Sequence, residues 1–108
     1  MFFHIIDTIP VEAPSDLKQI LKNHNTIGIT WSPLATINED MSGLLLKIWL
    51  LEQDGKEVLL PKVFEFQLSL SVVEYQFVDL DPNSVYRVSI SVVAKKGNGV
   101  EATLGIYS

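Results

Sequence analysis

The chain has 108 residues, 47% of them hydrophobic, with a formal net charge of −5 and no cysteine. That length accommodates one hydrophobic core, so a single domain is expected. The acidic balance disfavours nucleic acid and acidic membrane faces, the missing cysteines exclude disulfides and thiolate metal sites, and no apolar run approaches the roughly 20 residues that span a bilayer.

Taken in chain order, the sequence opens on Met1-Phe2-Phe3-His4-Ile5-Ile6, which is apolar but short, without a basic start or a small-residue cleavage pattern, and does not read as a signal peptide. From Ser15 to Leu21 a strand is the preferred reading, although Leu17, Ile20 and Leu21 behind a capping Ser15 also fit a short helix. After that the period is two. Ile27, Ile29 and Trp31 alternate with Gly28 and Thr30, the pattern of a half-buried strand. Leu44, Leu46, Ile48 and Leu50 make a similar row, and Asp54-Gly55 supplies the positive backbone angles of a tight hairpin whose return strand is expected over Glu57 to Leu60, before Pro61.

Val63 to Leu68 sets Phe64, Phe66 and Leu68 on one side and Glu65 and Gln67 on the other, as in a short edge strand. Tyr75, Phe77 and Leu80 lead into the turn formers Asp81-Pro82-Asn83-Ser84. Tyr86, Val88, Ile90 and Val92 then alternate with Arg87, Ser89, Ser91 and Val93, the clearest amphipathic strand in the chain. Lys95-Lys96-Gly97-Asn98-Gly99 reads as a flexible basic hairpin tip, with Val100 to Tyr107 returning as the last strand. About seven strands at this spacing predict an all-β, immunoglobulin-like antiparallel β-sandwich of two sheets.

The order of four local features resembles the fibronectin type III family. Pro14-Ser15-Asp16-Leu17 is similar to its opening motif, a proline followed by an inward leucine on the first strand. Trp31 falls where the family sets its core tryptophan, followed by Ser32-Pro33, and Gly97 and Gly99 match the glycine-bearing loop between its last two strands. Leu80-Asp81-Pro82-Asn83-Ser84-Val85-Tyr86 resembles the family's Leu-x-Pro-x-x-x-Tyr pattern, a tyrosine corner in which a buried ring sends its hydroxyl back to upstream backbone. The resemblance implies fibronectin type III topology over residues 10–108. Ile6 to Pro14 is similar to a junction between consecutive modules, so residues 1–9 are expected to be a linker or the tail of a preceding module; a loosely packed terminus is the other reading. The sequence departs from the family at Leu44 or Leu45, where a tyrosine is common, and in the long apolar stretch from Lys62 to Val73. Immunoglobulin-type domains fit less well because their cysteine pair is missing.

The expected structural core comprises Leu17, Ile27, Ile29, Trp31, Leu80, Tyr86, Val88 and Ile90. No catalytic or metal constellation stands out: His4 and His24 lack partners at ligand spacing, Glu39-Asp40 is too small a set for calcium, and no serine sits in a nucleophile elbow. No cofactor is expected. If Leu44, Leu46 and Ile48 face inward, then Leu45, Lys47, Trp49 and Leu51 face outward, and Leu45, Trp49 and Leu51 form a candidate interaction patch. A one-residue change of register, or cover from the Lys62 to Val73 stretch or the N-terminal arm, would hide Trp49 instead. The loop Lys95, Lys96, Gly97, Asn98 and Gly99 carries no Arg-Gly-Asp tripeptide, the family's integrin-recognition signal.

These expectations describe a non-catalytic interaction or spacer module in the extracellular part of a larger cell-surface receptor or adhesion protein. Its partners would be other proteins or neighbouring modules of the same chain, with no nucleic acid and no membrane insertion by the domain itself. The alternative is a cytoplasmic scaffold module or an accessory domain of a larger enzyme.

Overall fold

β-Branched and aromatic side chains at every second position pack well on a pleated surface and crowd a helical turn, and the segments that carry them form strands. A computed structural model describes residues 11–23 and 25–108; the expectations placed on residues 1–9, and on His4 and His24, lie outside them. The strands are β1 (Lys18–Lys22), β2 (Ile27–Thr30), β3 (Met41–Gln53), β4 (Lys56–Glu57), β5 (Val63–Leu68), β6 (Glu74–Phe77), β7 (Ser84–Ala94), β8 (Gly97–Asn98) and β9 (Ala102–Tyr107). There is no helix among the described residues. The segment that also suited a helix enters β1, with Leu17 one residue before the strand and packed against the core.

One sheet runs β1-β2-β6. The other is built on β3 and β7, with β4 and β5 on the far side of β3 and β8 and β9 on the far side of β7. Every pairing among the described residues is antiparallel. The β3–β7 register sets Leu44 opposite Val92, Leu46 opposite Ile90 and Ile48 opposite Val88. These six side chains share one face, because residues paired across an antiparallel ladder point the same way. They meet Ile27, Ile29 and Phe77 of the smaller sheet in one buried cluster that also takes in Trp31, Tyr86 and Ile106. Burying each such aliphatic side chain stabilises the fold by about 1.5–3 kcal/mol, which is why the sandwich stands without a disulfide.

The structure departs from strict alternation in several places. β3 gains an extra residue between Met41 and Gly43 and another between Leu50 and Glu52, and each such bulge re-aims the side chains beside it. The hairpin return is shorter than expected: β4 ends at Glu57, and after the Val58 amide bonds the Leu51 carbonyl at 2.8 Å the chain leaves the sheet at Leu59 and Leu60. Trp31 lies one residue beyond β2, its amide held by the Val73 carbonyl at 3.1 Å. The final strand begins at Ala102 rather than Val100, because the Val100 amide turns to the Val11 carbonyl at 2.9 Å.

Candidate functional site

Three places carry the side chains that the sequence singles out, and a fourth emerges only in three dimensions. The first is the corner before β7. Pro82 fixes its own backbone angle, Asn83 accepts a left-handed one with φ 53°, and the chain reverses. This brings the Tyr86 hydroxyl to the Asp81 amide, which donates to it at 2.9 Å. Leu80 packs against the core beside it, and its amide bonds the Asn25 carbonyl at 3.1 Å, tying the corner to the start of β2.

Burial raises the Tyr86 phenol above its ordinary 10.0; the hydrogen bond from the Asp81 backbone opposes this, and the Asp81 carboxylate adds to it. The folded chain therefore holds the phenolic proton longer than the unfolded chain does. This contribution to stability is complete below pH 10 and is lost as the pH rises through the folded-state value. Tyr86→Phe is expected to cost about 1–2 kcal/mol in urea unfolding at neutral pH and to remove this alkaline component.

The second place is the tip between β7 and β9. Gly97 has φ 124°, a conformation strained for any residue with a Cβ. At Gly99 a Cβ would lie 2.6 Å from the Val11 carbonyl oxygen. The tip is fastened on both sides: the Gly99 amide bonds the Val92 carbonyl at 2.8 Å, and the Lys95 amide bonds the Asp40 carbonyl at 2.9 Å. Lys95 also faces the Asp40 carboxylate at 3.9 Å across an open surface, where such a pair contributes little. Asn98, Lys95 and Lys96 are exposed. Among the described residues no group of three or more His, Asp or Glu side chains could hold a metal ion.

The outer face of β3 is the third place, and here the expected open patch is corrected. Leu45 is only 8% exposed, and Trp49 and Leu51 are half-buried. Leu45 sits mid-strand, flanked by Ser91 on β7 and Gln67 on β5. Lys47, next along the same face, reaches the Glu101 carboxylate at 3.3 Å, which also accepts from the Ser89 hydroxyl. A central strand with neighbours on both sides leaves little of a leucine to water. Leu51 is the extra residue of the second bulge, so alternation from Leu44 no longer fixes its direction.

The fourth place is a groove of about 410 Å³ between β5 of one sheet and β6 of the other. Phe64, Phe66, Tyr75 and Phe77 line it, with Trp49 and Leu80 contributing at its margin. Phe66 lies 5.4 Å from Tyr75 and 6.3 Å from Phe77, ring centre to ring centre, and Tyr75 meets Phe77 edge-on at 5.1 Å. Phe64 stands at the lip, 55% exposed. The apolar surplus of residues 62–73 is visible in the sequence, whereas the groove is not. A second cavity, of about 490 Å³, lies where Val11 to Ser15 pass the loop from Pro33 to Met41.

Two antiparallel sheets closed over one core, a buried tryptophan beside β2 and a tyrosine latching the corner before β7 define an immunoglobulin-like sandwich. The fibronectin type III domain family matches residues 12–107, and the chain belongs to that family. Its modules are generally non-catalytic, mediate protein–protein contacts and occur in tandem. The chain is 27% identical over 99 residues to the phosphatidylinositol phosphatase PTPRQ of Rattus norvegicus, a match that covers 92% of this chain but 4% of that protein. Among solved structures, the third fibronectin III domain of the human KIAA0343 protein superposes with a TM-score of 0.72 at 21% identity, covering 100% of this chain and 90% of that one. The chicken CNTN1 segment FN1–FN3 gives 0.70 at 19% identity, covering 90% of this chain and 32% of that one. No helix among the described residues is long and apolar enough to cross a membrane.

Proposed function

We propose that this chain is a non-catalytic interaction and spacer module in the extracellular part of a larger multidomain receptor or adhesion protein, with residues 10–108 as the module and residues 1–9 as the linker from a preceding one. The observation that carries the reading is the placement of the two ends of the described chain. Val11 is held at the finish of β7, through Val100 and the tip at Gly99, whereas Ser108 exchanges hydrogen bonds of 2.9 and 3.2 Å with Ser84 at its start. The Gly99 anchor is at Val92, eight steps along β7 from Ser84, so the ends are separated by about 26 Å of sheet. A chain that passes through enters at one pole and leaves at the other, which suits beads threaded in a row. The PTPRQ match, a small part of a much longer protein, and the multi-domain CNTN1 segment agree with this.

The test is an epitope inserted in the exposed Asp54-Gly55 turn of the full-length protein, where both residues have positive φ and the ladder is already turning back. Antibody labelling of intact cells is expected. Labelling only after permeabilisation would overturn the extracellular assignment in favour of a cytoplasmic scaffold.

A further inference from the structure

Both strands that flank the aromatic groove are sheet edges. Among the described residues β5 has a ladder to β3 alone and β6 to β2 alone, so alternate residues of each turn an amide N–H and a carbonyl away from the sheet. Natural edge strands are blunted by a bulge, an inward charge, proline or shortness. β5 is blunted weakly: its register with β3 is unbroken from Leu44 to Trp49, it has six residues, and Pro61 lies outside it. The surface around it is apolar, with Leu59 81%, Leu60 92%, Phe64 55% and Val78 61% exposed.

Charge selects the occupant. Glu65 stands exposed on the face of β5 opposite Phe64 and Phe66, and Asp79 and Asp81 line the groove without a lysine or arginine among its lining residues. From Leu59 to Asp81 the sequence has four acidic side chains, Glu65, Glu74, Asp79 and Asp81, against one lysine, Lys62. A second copy would bring the same negative excess and an overall charge of −5, so like charges oppose self-pairing at this edge.

We propose that the β5 edge takes up an extended, cationic segment of a partner protein as an added strand. Its alternate apolar residues project into the groove against Phe64, Phe66, Tyr75 and Phe77, and its lysine or arginine side chains, on the opposite face of the added strand, meet Glu65 of β5. Main-chain hydrogen bonds to β5 give affinity, and the spacing of apolar and basic residues gives specificity. The inference rests on reading the chain as an interaction module and identifies the chemistry of the partner.

The probe is a short fluorescent peptide alternating valine and lysine, titrated into the 108-residue chain and compared with a valine–glutamate peptide and with a scrambled valine–lysine peptide. The alternating lysine peptide is expected to bind at least about tenfold more tightly than either control, with the preference over glutamate shrinking in high salt. Hydrogen exchange is expected to slow at amides within Val63–Leu68 when the peptide is bound. Phe64→Ser and Glu65→Gln, both at exposed positions, are each expected to weaken binding. Glutamine keeps the size of the exposed Glu65 side chain and removes only its charge, so this variant decides the matter if the serine variant does not fold.

No binding, equal binding of the three peptides, binding without new protection in β5, or self-association through β5 on sedimentation would overturn the proposal. The assay is blind to cellular compartment, and epitope labelling is blind to the groove. Failure of one reading is therefore distinguishable from failure of the other.

Discussion

Trp31→Ala is expected to cost about 3–5 kcal/mol, a large share of the stability of a domain this size, and to lower the melting temperature by on the order of 15 °C. Two losses combine. The indole is 4% exposed and belongs to the central cluster, so truncation leaves a cavity that strands on both sides cannot collapse to fill. Its Nε1–H also donates to the Val72 carbonyl at 3.0 Å, and alanine leaves that carbonyl without its partner. The backbone amide of Trp31 and the Thr30 hydroxyl both reach the Val73 carbonyl, so the residue stitches the end of β2 to the turn before β6. Trp31→Phe keeps most of the ring and loses the hydrogen bond, and is expected to cost about 1–2 kcal/mol. Urea unfolding of the two variants separates the cavity from the bond; equal, small effects would place the indole outside the core.

Leu46→Ala is expected to cost about 2–5 kcal/mol, whereas Lys47→Ala, next along the strand, costs under about 1 kcal/mol. Leu46 is fully buried, paired with Ile90 on one side and Phe66 on the other. Lys47 points to the opposite face, where its ion pair with Glu101 is partly open to water. A slip of one residue exchanges the two faces, so the inverse order of costs in denaturant titrations would mean that β3 is set in the wrong register.

Much of the architecture was legible because burial on one face writes itself as alternation. Tyr86, Val88, Ile90 and Val92 mark the inward side of β7 without help from any other segment, and Leu44, Leu46 and Ile48 do the same for β3. The Asp81-Pro82-Asn83-Ser84 run and the Tyr86 that follows it were enough to place a corner, since few residues accept those backbone angles. Alternation states which face a side chain takes, not how deep it lies. Leu45 faces outward yet is covered because its strand is central, and the bulge at Leu51 cancels the rule beyond Leu50. β4 fell short of Leu60 because pairing with β3 ends near Val58, a limit that no local pattern announces.

The groove was invisible for a different reason. Phe64 and Phe66 belong to one sheet and Tyr75 and Phe77 to the other, and their meeting depends on how two edges superpose. A period of two within each strand contains no information about that distance. The excess of large apolar residues from Leu59 to Phe66, four of which are exposed at Leu59, Leu60, Val63 and Phe64, was the one available sign that something other than core packing was at work there.

β3 and β7 lie at the middle of a closed sandwich while β5 remains an open edge, and residue-resolved amide hydrogen exchange measures both at once. Amides from Leu44 to Leu50 and from Tyr86 to Val92 are expected to exchange only on global unfolding, and the outward-facing amides of Val63–Leu68 to exchange orders of magnitude faster. Rapid exchange through the centre of β7, or uniform slow exchange across β5, would contradict this arrangement.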